Sequence, residues 1–248
     1  MVNLASNPNV WATLVGILAL ALAPLAFLLW FFYTRDKLNP EPRGLILRVF
    51  GLGLLAFMPI FVIRQFLPLP YGLMGLVVVP ILSELAKFGV VKGGVYNHAE
   101  FDEPVDGMIF AAVAGLGFAS LGVIGSMLYA YLHVLRLGPT EVSGSAWGAV
   151  MNMFALQGLL MAPGHALWSS LWGYGLGLAK FSRAAQANGL VAKGLLAAIL
   201  AHAAFNGLAM ELGWWVNRLG LVVLIILLWL VVMRCIRYAL ALSPYQKA

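Results

Sequence analysis

Two side chains of opposite charge lie within one long apolar stretch of the sequence. Glu84 and Lys87 belong to PILSELAKFGVVK, residues 80–92, and Ser83 adds a hydroxyl beside Glu84. Three residues apart on a helix, Glu84 and Lys87 share one face and can pair. A charge at the centre of a bilayer costs roughly 2.5–3.5 kcal/mol on insertion scales. The pair therefore indicates either a polar site inside a helix bundle or an ion pair that sets helix register.

Two histidines and an asparagine are the other polar candidates deep in apolar stretches. His202 and Asn206 are four residues apart in LAHAAFNGL and so face the same side of a helix. His165 follows Pro163–Gly164, where freed backbone groups could line a wet cavity. A lone histidine in such a position is more often a packing residue. With Glu84, however, the two histidines could hold a divalent metal ion or activate a water molecule.

The composition places these residues in a membrane protein. Apolar residues make up 62% of the 248 residues and charged residues 10%, against about 45–50% and 25% in soluble domains. We expect a single integral-membrane domain over residues 1–248, with membrane lipid and the transmembrane helices of other membrane proteins as partners. The net charge is +6, but the basic residues are scattered over the ends of apolar runs. They are typical of topology signals and predict no nucleic-acid partner.

Apolar runs of about 20 residues, the length of one crossing, define the helices that must position these side chains. We predict an all-α polytopic helix bundle with about seven transmembrane helices. The predicted spans are 10–33, 45–66, 71–91, 107–134, one within 142–179, 189–210 and 214–233. Asp106 directly precedes the fourth span, so it is either the N-cap of that helix or a site residue.

The uncharged segment 142–179 leaves the number of spans open. Its length allows either one broken span or two short spans, which would make eight in all. With the N-terminus outside, one crossing places most Lys and Arg residues and the C-terminus in the cytoplasm, whereas two crossings reverse this bias. The positive-inside rule thus favours one crossing. Residues 143–161 would then form a peripheral or re-entrant helix, or an extension of a kinked span.

Small residues recur at helical spacing in two of the predicted spans. Gly115, Ala119, Gly122 and Ser126 form one such row, and Gly173 and Gly177 form another. Rows of this kind are typical of close helix contacts in membranes.

Five stretches of the chain resemble motifs of one family of intramembrane proteases. They are RDKLNPEPR (35–43), SELAK (83–87), PVDGMIFAAVAGLGFA (104–119), GHALWSSLWGYGLG (164–177) and HAAFN (202–206). In order and spacing they resemble the PrsW family, which belongs to a superfamily with type II CAAX prenyl proteases and Abi proteins.

The resemblance implies a fold, a location and a set of site residues. It implies a PrsW/CAAX-protease-like bundle in the bacterial inner membrane. The implied catalytic residues are Glu84, His165, His202 and Asn206, and the supporting residues are Ser83, Lys87 and Asp106. A divalent metal could be held by Glu84, His165 and His202.

The departures from the family pattern fall on its catalytic groups. Ser83 stands where the family has the first of two glutamates, and Gly122 and Val123 stand where it has Glu-Asn. A neutral serine hydroxyl cannot act as a carboxylate base. We also form the hypothesis that Gly122 exchanges the lost glutamate for a tighter helix contact.

These departures favour a catalytically degenerate protein over an active enzyme. We expect a pseudoprotease that binds transmembrane segments and acts as a structural or assembly partner in a membrane complex. The alternative is an active PrsW-type protease that cleaves a membrane protein such as an anti-sigma factor. A transporter would also explain a buried Glu–Lys pair, but the chain lacks paired interrupted spans.

Overall fold

The structure is a computed structural model that describes residues 8–137, 145–210 and 214–247, and its regular elements in these ranges are helices. The α-helices are α1 (Pro8–Tyr33), α2 (Arg43–Phe66), α3 (Tyr71–Leu73), α4 (Val79–Gly94), α5 (Asp106–Leu137), α6 (Ala146–Met153), α7 (Ala162–Lys180), α8 (Ala184–Met210) and α9 (Trp214–Ala241). π-Helical stretches join α3 to α4 at Met74–Val78 and α6 to α7 at Phe154–Met161. These elements make seven continuous helices in the described part of the chain.

The chain is an integral membrane protein with a polytopic helix bundle, as the composition predicts. Over the described residues, six helices are long and apolar enough to cross a membrane, with 23–32 residues each. At about 1.5 Å per residue, these helices are about 35–48 Å long. They are Trp11–Tyr33, Arg43–Phe66, Tyr71–Gly94, Asp106–Leu137, Ala184–Met210 and Arg218–Ala241.

The uncharged segment before Lys180 forms one continuous helix. α6, the stretch Phe154–Met161 and α7 follow one another without a turn, and Pro163 lies in the first turn of α7. Proline lacks the N–H that an α-helix would use, and a π-helical turn changes the hydrogen-bond register just before it. The segment therefore does not fold back into two antiparallel helices over the described residues, and this helix is not among the six that meet the length and hydropathy expected of a span. Residues 142–144 lie outside the described ranges.

Helices α5 and α7 form the centre of the bundle. In the apolar window of α5, 83% of the residues are buried, against 17–33% in the other candidate spans. Residues 106–120 of α5 and 162–170 of α7 are all buried. α1 and α2 pack against α5, whereas α8 and α9 pack against α7. A side chain on α7 that points at α4 or α8 is therefore held away from lipid.

Glycines allow α5 and α7 to approach until their backbones touch. A Cβ at Gly173 would overlap the carbonyl oxygen of Gly107, and a Cβ at Gly115 would overlap that of His165. Gly177 likewise contacts the backbone of Pro104. The predicted close contacts at these three row positions are thus confirmed.

Gly122 behaves differently from the glycines of the central contact. A Cβ there would lie 3.5 Å from the ring of Phe57, an ordinary van der Waals distance, and would meet no backbone. The contact at Gly122 is therefore looser than those at Gly107, Gly115 and Gly173, and the hypothesis that Gly122 replaces a glutamate with a tighter contact stays a prediction. The reason for the looser contact is positional, because α5 leaves the centre of the bundle beyond Ser120 and is only partly buried there.

Two loops and the C-terminal turn meet at one end of the bundle. Asn39 Nδ2 donates to Asp102 Oδ1 at 3.2 Å, and the Tyr245 hydroxyl donates to Asp102 Oδ2 at 2.5 Å. Lys180 Nζ donates to the carbonyl oxygen of Phe101 at 2.6 Å. The α1–α2 loop, the α4–α5 loop and the ends of α7 and α9 therefore share one side of the molecule.

Candidate active site

Glu84 is the centre of a polar cluster buried inside the bundle. It lies on α4 with no exposed surface, and so does Lys87 one turn later. Lys87 Nζ donates to Glu84 Oε1 at 2.5 Å, which is the ion pair predicted from their spacing. His202 Nδ1, from α8, lies 2.9 Å from the same oxygen. One carboxylate oxygen is thus held by an ammonium and an imidazole.

The second oxygen of Glu84 is held by α7. Ser169 Oγ donates to Glu84 Oε2 at 3.2 Å, and Trp172 Nε1 donates to it at 3.1 Å. Both oxygens are therefore hydrogen-bonded, as a buried charge requires. Sequence reasoning missed Ser169 and Trp172. The signal was present, because they follow His165 by four and seven residues and so share its helix face.

Aromatic side chains hold the two histidines in place. His165 Nδ1 lies 3.2 Å from Lys87 Nζ, and the ring centroids of the two histidines are 5.0 Å apart. The Trp168 ring stacks on His202 with centroids 4.6 Å apart and an interplanar angle of 15°. Phe118 from α5 packs against His165 at 5.3 Å. Tight packing on both rings limits their reorientation.

Glu84, His165 and His202 converge from three helices onto one point. One ligand atom from each lies within 4.8 Å of the others, and all three residues are buried. Two imidazole nitrogens and one carboxylate oxygen are a donor set that proteins use for catalytic zinc. The residues present therefore fit a divalent metal. The Lys87 ammonium contacts two of these three residues, Glu84 and His165.

Two other predicted residues lie close in sequence to this cluster but make different contacts. Ser83 is fully buried, and its Oγ has no hydrogen-bond partner among the described protein atoms. Asn206 Nδ2 donates at 2.7 Å to the carbonyl oxygen of Gly75, in the π-helical stretch before α4. Asn206 thus ties α8 to the helix that carries Glu84. Catalytic and supporting roles for these two residues stay predictions.

Asp106 belongs to a different part of the molecule, at the loop end of the bundle. Its Oδ2 accepts from the backbone N–H groups of Asp102 and Glu103, both at 2.8 Å. An N-cap would instead accept from residues that follow it. The first helical bonds of α5 end on the carbonyl oxygen of Val105, so Asp106 is already inside the helix. The structure therefore does not show the predicted N-cap contact, and Asp106 stabilises the preceding loop.

Comparison with known proteins assigns the chain to a family. A profile described as PrsW family intramembrane metalloprotease matches residues 41–233. The chain belongs to the PrsW family. A protein named Protease PrsW from Geobacillus kaustophilus is 31% identical over 233 residues, which cover 90% of this chain and 92% of that protein. Protease PrsW of Bacillus subtilis is 30% identical over 206 residues, covering 81% and 86%. No solved structure gives a significant match.

The expectation of a catalytically degenerate pseudoprotease is wrong. It depended on Ser83, Gly122 and Val123, which depart from the family pattern. The match to PrsW proteases nevertheless covers most of the chain, and the buried cluster of Glu84, His165 and His202 is consistent with an intact metal-binding site. None of the three departing residues belongs to that donor set.

Proposed function

We propose that this PrsW-family chain is an active intramembrane endopeptidase with Glu84, His165 and His202 as its catalytic residues. The observation that carries the proposal is their convergence within 4.8 Å from α4, α7 and α8. Glu84 is ten residues before the end of α4, about 15 Å along the helix. A cluster at that depth can act on a peptide bond of another membrane protein within or beside the bilayer.

The three residues would hold a divalent metal ion, and the rest of the cluster would position them. When bound, such an ion polarises a carbonyl group and lowers the pKa of water. Glu84 can also exchange a proton with His202, because its Oε1 lies 2.9 Å from His202 Nδ1. Ser169 and Trp172 fix its carboxylate, since each donates to Oε2.

Lys87 and Asn206 would act in support of the catalytic residues. The Lys87 ammonium balances the charge of Glu84 and can donate to an oxyanion that forms on the substrate. Asn206 sets the position of His202 by holding α8 against the backbone of Gly75. We assign both residues positioning or electrostatic roles, with Ser83 and Asp106 as further supporting residues.

The proposed substrates are membrane proteins whose transmembrane helices enter between the helices of the bundle and so reach Glu84 and the two histidines. We place the chain in the bacterial inner membrane as one domain over residues 1–248, with its N-terminus outside and its C-terminus in the cytoplasm. The support is charge, because most Lys and Arg residues lie toward the end where the loops meet. A single-span anti-sigma factor is a substrate of the expected kind.

The proposal is tested by cleavage in proteoliposomes. The substrate is a single-span anti-sigma factor with a tag on each side of its transmembrane helix, and the fragments are quantified by immunoblot. We expect Glu84→Gln and His165→Ala to lower the cleavage rate at least about 100-fold, the range of general-base effects. Chelation should abolish cleavage, and one divalent cation should restore it.

Glu100→Gln is the matched control, because it makes the same change in a loop residue outside the cluster. It should cleave like the wild type, and all variants should elute as monodisperse proteins. Equal rates for wild type and Glu84→Gln would contradict the proposal. So would an absence of cleavage by the wild type across a panel of single-span reporters.

A further inference from the structure

A second group of acidic side chains is buried at the end of the bundle where the loops meet. Asp36 and Glu41 belong to the α1–α2 loop, Glu103 to the α4–α5 loop and Asp106 to the start of α5. Their exposed fractions are 2%, 3%, 0% and 1%. These four residues are called the loop carboxylate cluster. The active-site proposal uses none of them as a ligand.

In each of the two aspartates of this cluster, one carboxylate oxygen is hydrogen-bonded and the other is not. Asp36 Oδ1 accepts from the N–H groups of Leu38 and Asn39 at 3.0 and 3.2 Å, whereas Oδ2 is buried without a partner among the described protein atoms. Asp106 has the same pattern, since Oδ2 accepts two backbone N–H groups and Oδ1 is buried without a partner. One oxygen of each carboxylate is thus fixed by the backbone, and the other remains available.

The two glutamates are buried without a hydrogen bond of good geometry, although the Ser243 hydroxyl lies near Glu103. Neither carboxylate oxygen of Glu41 or of Glu103 has a hydrogen-bond partner among the described protein atoms. Glu41 is aimed at the cluster, because its carboxyl group lies against that of Asp106. Unpartnered carboxylate oxygens that are more than nine-tenths buried and point at one another require a ligand or protons.

The basic side chains of the described residues do not supply that ligand. The ion pairs found among them are those of Glu84 with Lys87 and His202. Lys180 is near, but its ammonium donates to the carbonyl oxygens of Tyr96 and Phe101. The loop carboxylate cluster thus makes no ion pair within 4.0 Å among the described residues, and the nearby charge of Lys180 acts on Asp106 and Glu41 from a greater distance.

Burial and mutual repulsion act on these loop carboxyl groups together. Burial, with the charges of Asp106, Asp102 and Asp36, raises the pKa of Glu41 to about 10. Burial raises the pKa of Glu103 to about 7, and Asp36 and Asp106 contribute to the shift. Four carboxyl groups buried together need a positive charge or protons to compensate them.

The geometry matches the coordination sphere of a hard cation. One carboxylate oxygen each from Asp36, Glu103 and Asp106 lies within 4.8 Å of the others. Calcium binds oxygen at about 2.3–2.6 Å, so two ligands on opposite sides of the ion are about 4.8 Å apart. Carboxylate oxygens without nitrogen or sulfur select calcium or magnesium rather than zinc.

We propose that Asp36, Glu103 and Asp106, with Glu41 beside them, bind a divalent cation of the calcium and magnesium class. This site is separate from the cluster around Glu84 and differs from it in donor chemistry. A bound cation ties the α1–α2 loop to the start of α5. Because α5 packs against His165 through Gly115, the cation stabilises the central helix pair without touching the substrate.

The first test is cation-dependent thermal unfolding of the full chain in detergent micelles. After chelation, CaCl2 or MgCl2 at about a hundredfold excess over Kd should raise the Tm by on the order of 5 °C. Asp36→Asn and Glu103→Gln should lose this shift, whatever their starting Tm. Glu100→Gln, which changes an acid of the same loop outside the cluster, should keep it. His165→Ala should also keep it, because the calcium response does not depend on the active site.

A direct binding measurement keeps the proposal testable if Asp36→Asn or Glu103→Gln does not fold. Tb3+ replaces calcium at oxygen sites, and its emission is sensitised by a nearby aromatic ring such as that of Tyr245. The His165→Ala protein should show saturable Tb3+ emission that calcium displaces. Absence of saturable emission, or a Tm shift that persists in Asp36→Asn, would overturn the proposal and leave the carboxyl groups neutralised by protons. Loss of proteolysis in His165→Ala with normal Tb3+ binding separates this site from the proposed function.

Discussion

At the scale of single residues, the carboxylate of Glu84 is the most constrained group of the candidate site. Oε1 contacts Lys87 Nζ and His202 Nδ1, and Oε2 accepts from Ser169 and Trp172. Hydrogen bonds to a charged group are shorter and stronger than neutral ones. Glu84 therefore has one orientation rather than several, which both metal binding and proton transfer require.

Trp172 gives a residue-scale prediction. Trp172→Phe removes the N–H that donates to Glu84 Oε2 but keeps an aromatic ring against Phe88, 5.6 Å away. A hydrogen bond to a charged group contributes about 1.5–3 kcal/mol. We expect the cleavage rate to fall about 10-fold to 100-fold, measured as kcat on the tagged reporter, with little change in KM.

Trp168→Phe is the matched comparison on the same helix. The Trp168 Nε1 atom is buried without a hydrogen-bond partner among the described atoms, so this change removes no such bond. It also keeps an aromatic ring against His202 and should cause the smaller loss. Equal losses in the two variants would show that ring size, not the bond to Glu84, explains the effect of Trp172.

At the scale of elements, the α5–α7 contact positions the site. Backbone contact at Gly107 and Gly173 brings the two helices together, and Gly115 lies against the carbonyl oxygen of His165. Small residues are the usual way in which membrane helices come this close, because lipid offers no hydrophobic drive for association. The depth and rotation of His165 therefore depend on glycines far from any chemistry.

Gly173→Ala gives the element-scale prediction. The added Cβ would overlap the carbonyl oxygen of Gly107, which is backbone and cannot rotate away. Overpacking of this kind costs about 1–3 kcal/mol. We expect a lower Tm in detergent and a reduced cleavage rate, measured on the same preparations.

Gly189→Ala in α8 is the control for that substitution. A Cβ at Gly189 meets no atom within 4 Å. Alanine is better than glycine in a helix by about 0.5–1 kcal/mol, so the Tm should stay equal or rise. A similar loss of Tm in both variants would contradict the packing explanation.

At the scale of the whole molecule, the seven continuous helices of the described ranges place two polar clusters at different depths. The cluster of Glu84 lies inside the bundle, and the loop carboxylate cluster lies at the end where the α1–α2 and α4–α5 loops meet. We expect the continuous helix of α6 and α7 to cross the membrane as well, because seven crossings would put the two termini on opposite sides. Under the positive-inside rule, we expect the basic end to face the cytoplasm.

Labelling of single cysteines tests this orientation. In a Cys235→Ser background, Asn97→Cys lies in the α4–α5 loop and Leu67→Cys at the opposite end, both at exposed positions. A membrane-impermeant maleimide should label Leu67→Cys in intact cells and Asn97→Cys only after permeabilisation. The reverse pattern would overturn the proposed orientation and leave the fold unchanged.

Much of the architecture was predictable because membrane insertion imposes strong rules on a sequence. A crossing needs about 20 apolar residues, so the apolar runs predicted the C-terminal ends of three helices at Tyr33, Phe66 and Met210. The i, i+3 spacing predicted the Glu84–Lys87 pair. Burial cost also selected His165 and His202, because polar groups inside a membrane are rarely placed there without a partner.

The sequence alone determined the fold class, the family resemblance and the residues that could do chemistry, since these follow from local composition and spacing. Only the tertiary structure decided which residues meet. It showed that Ser169 and Trp172 hold Glu84, that Ser83 and Gly122 do not remove the donor set, and that acids from two separate loops form a second cluster. The reason is physical. Contacts between helices depend on the rotation, depth and close approach of each helix, and these are fixed only when all the helices are packed together.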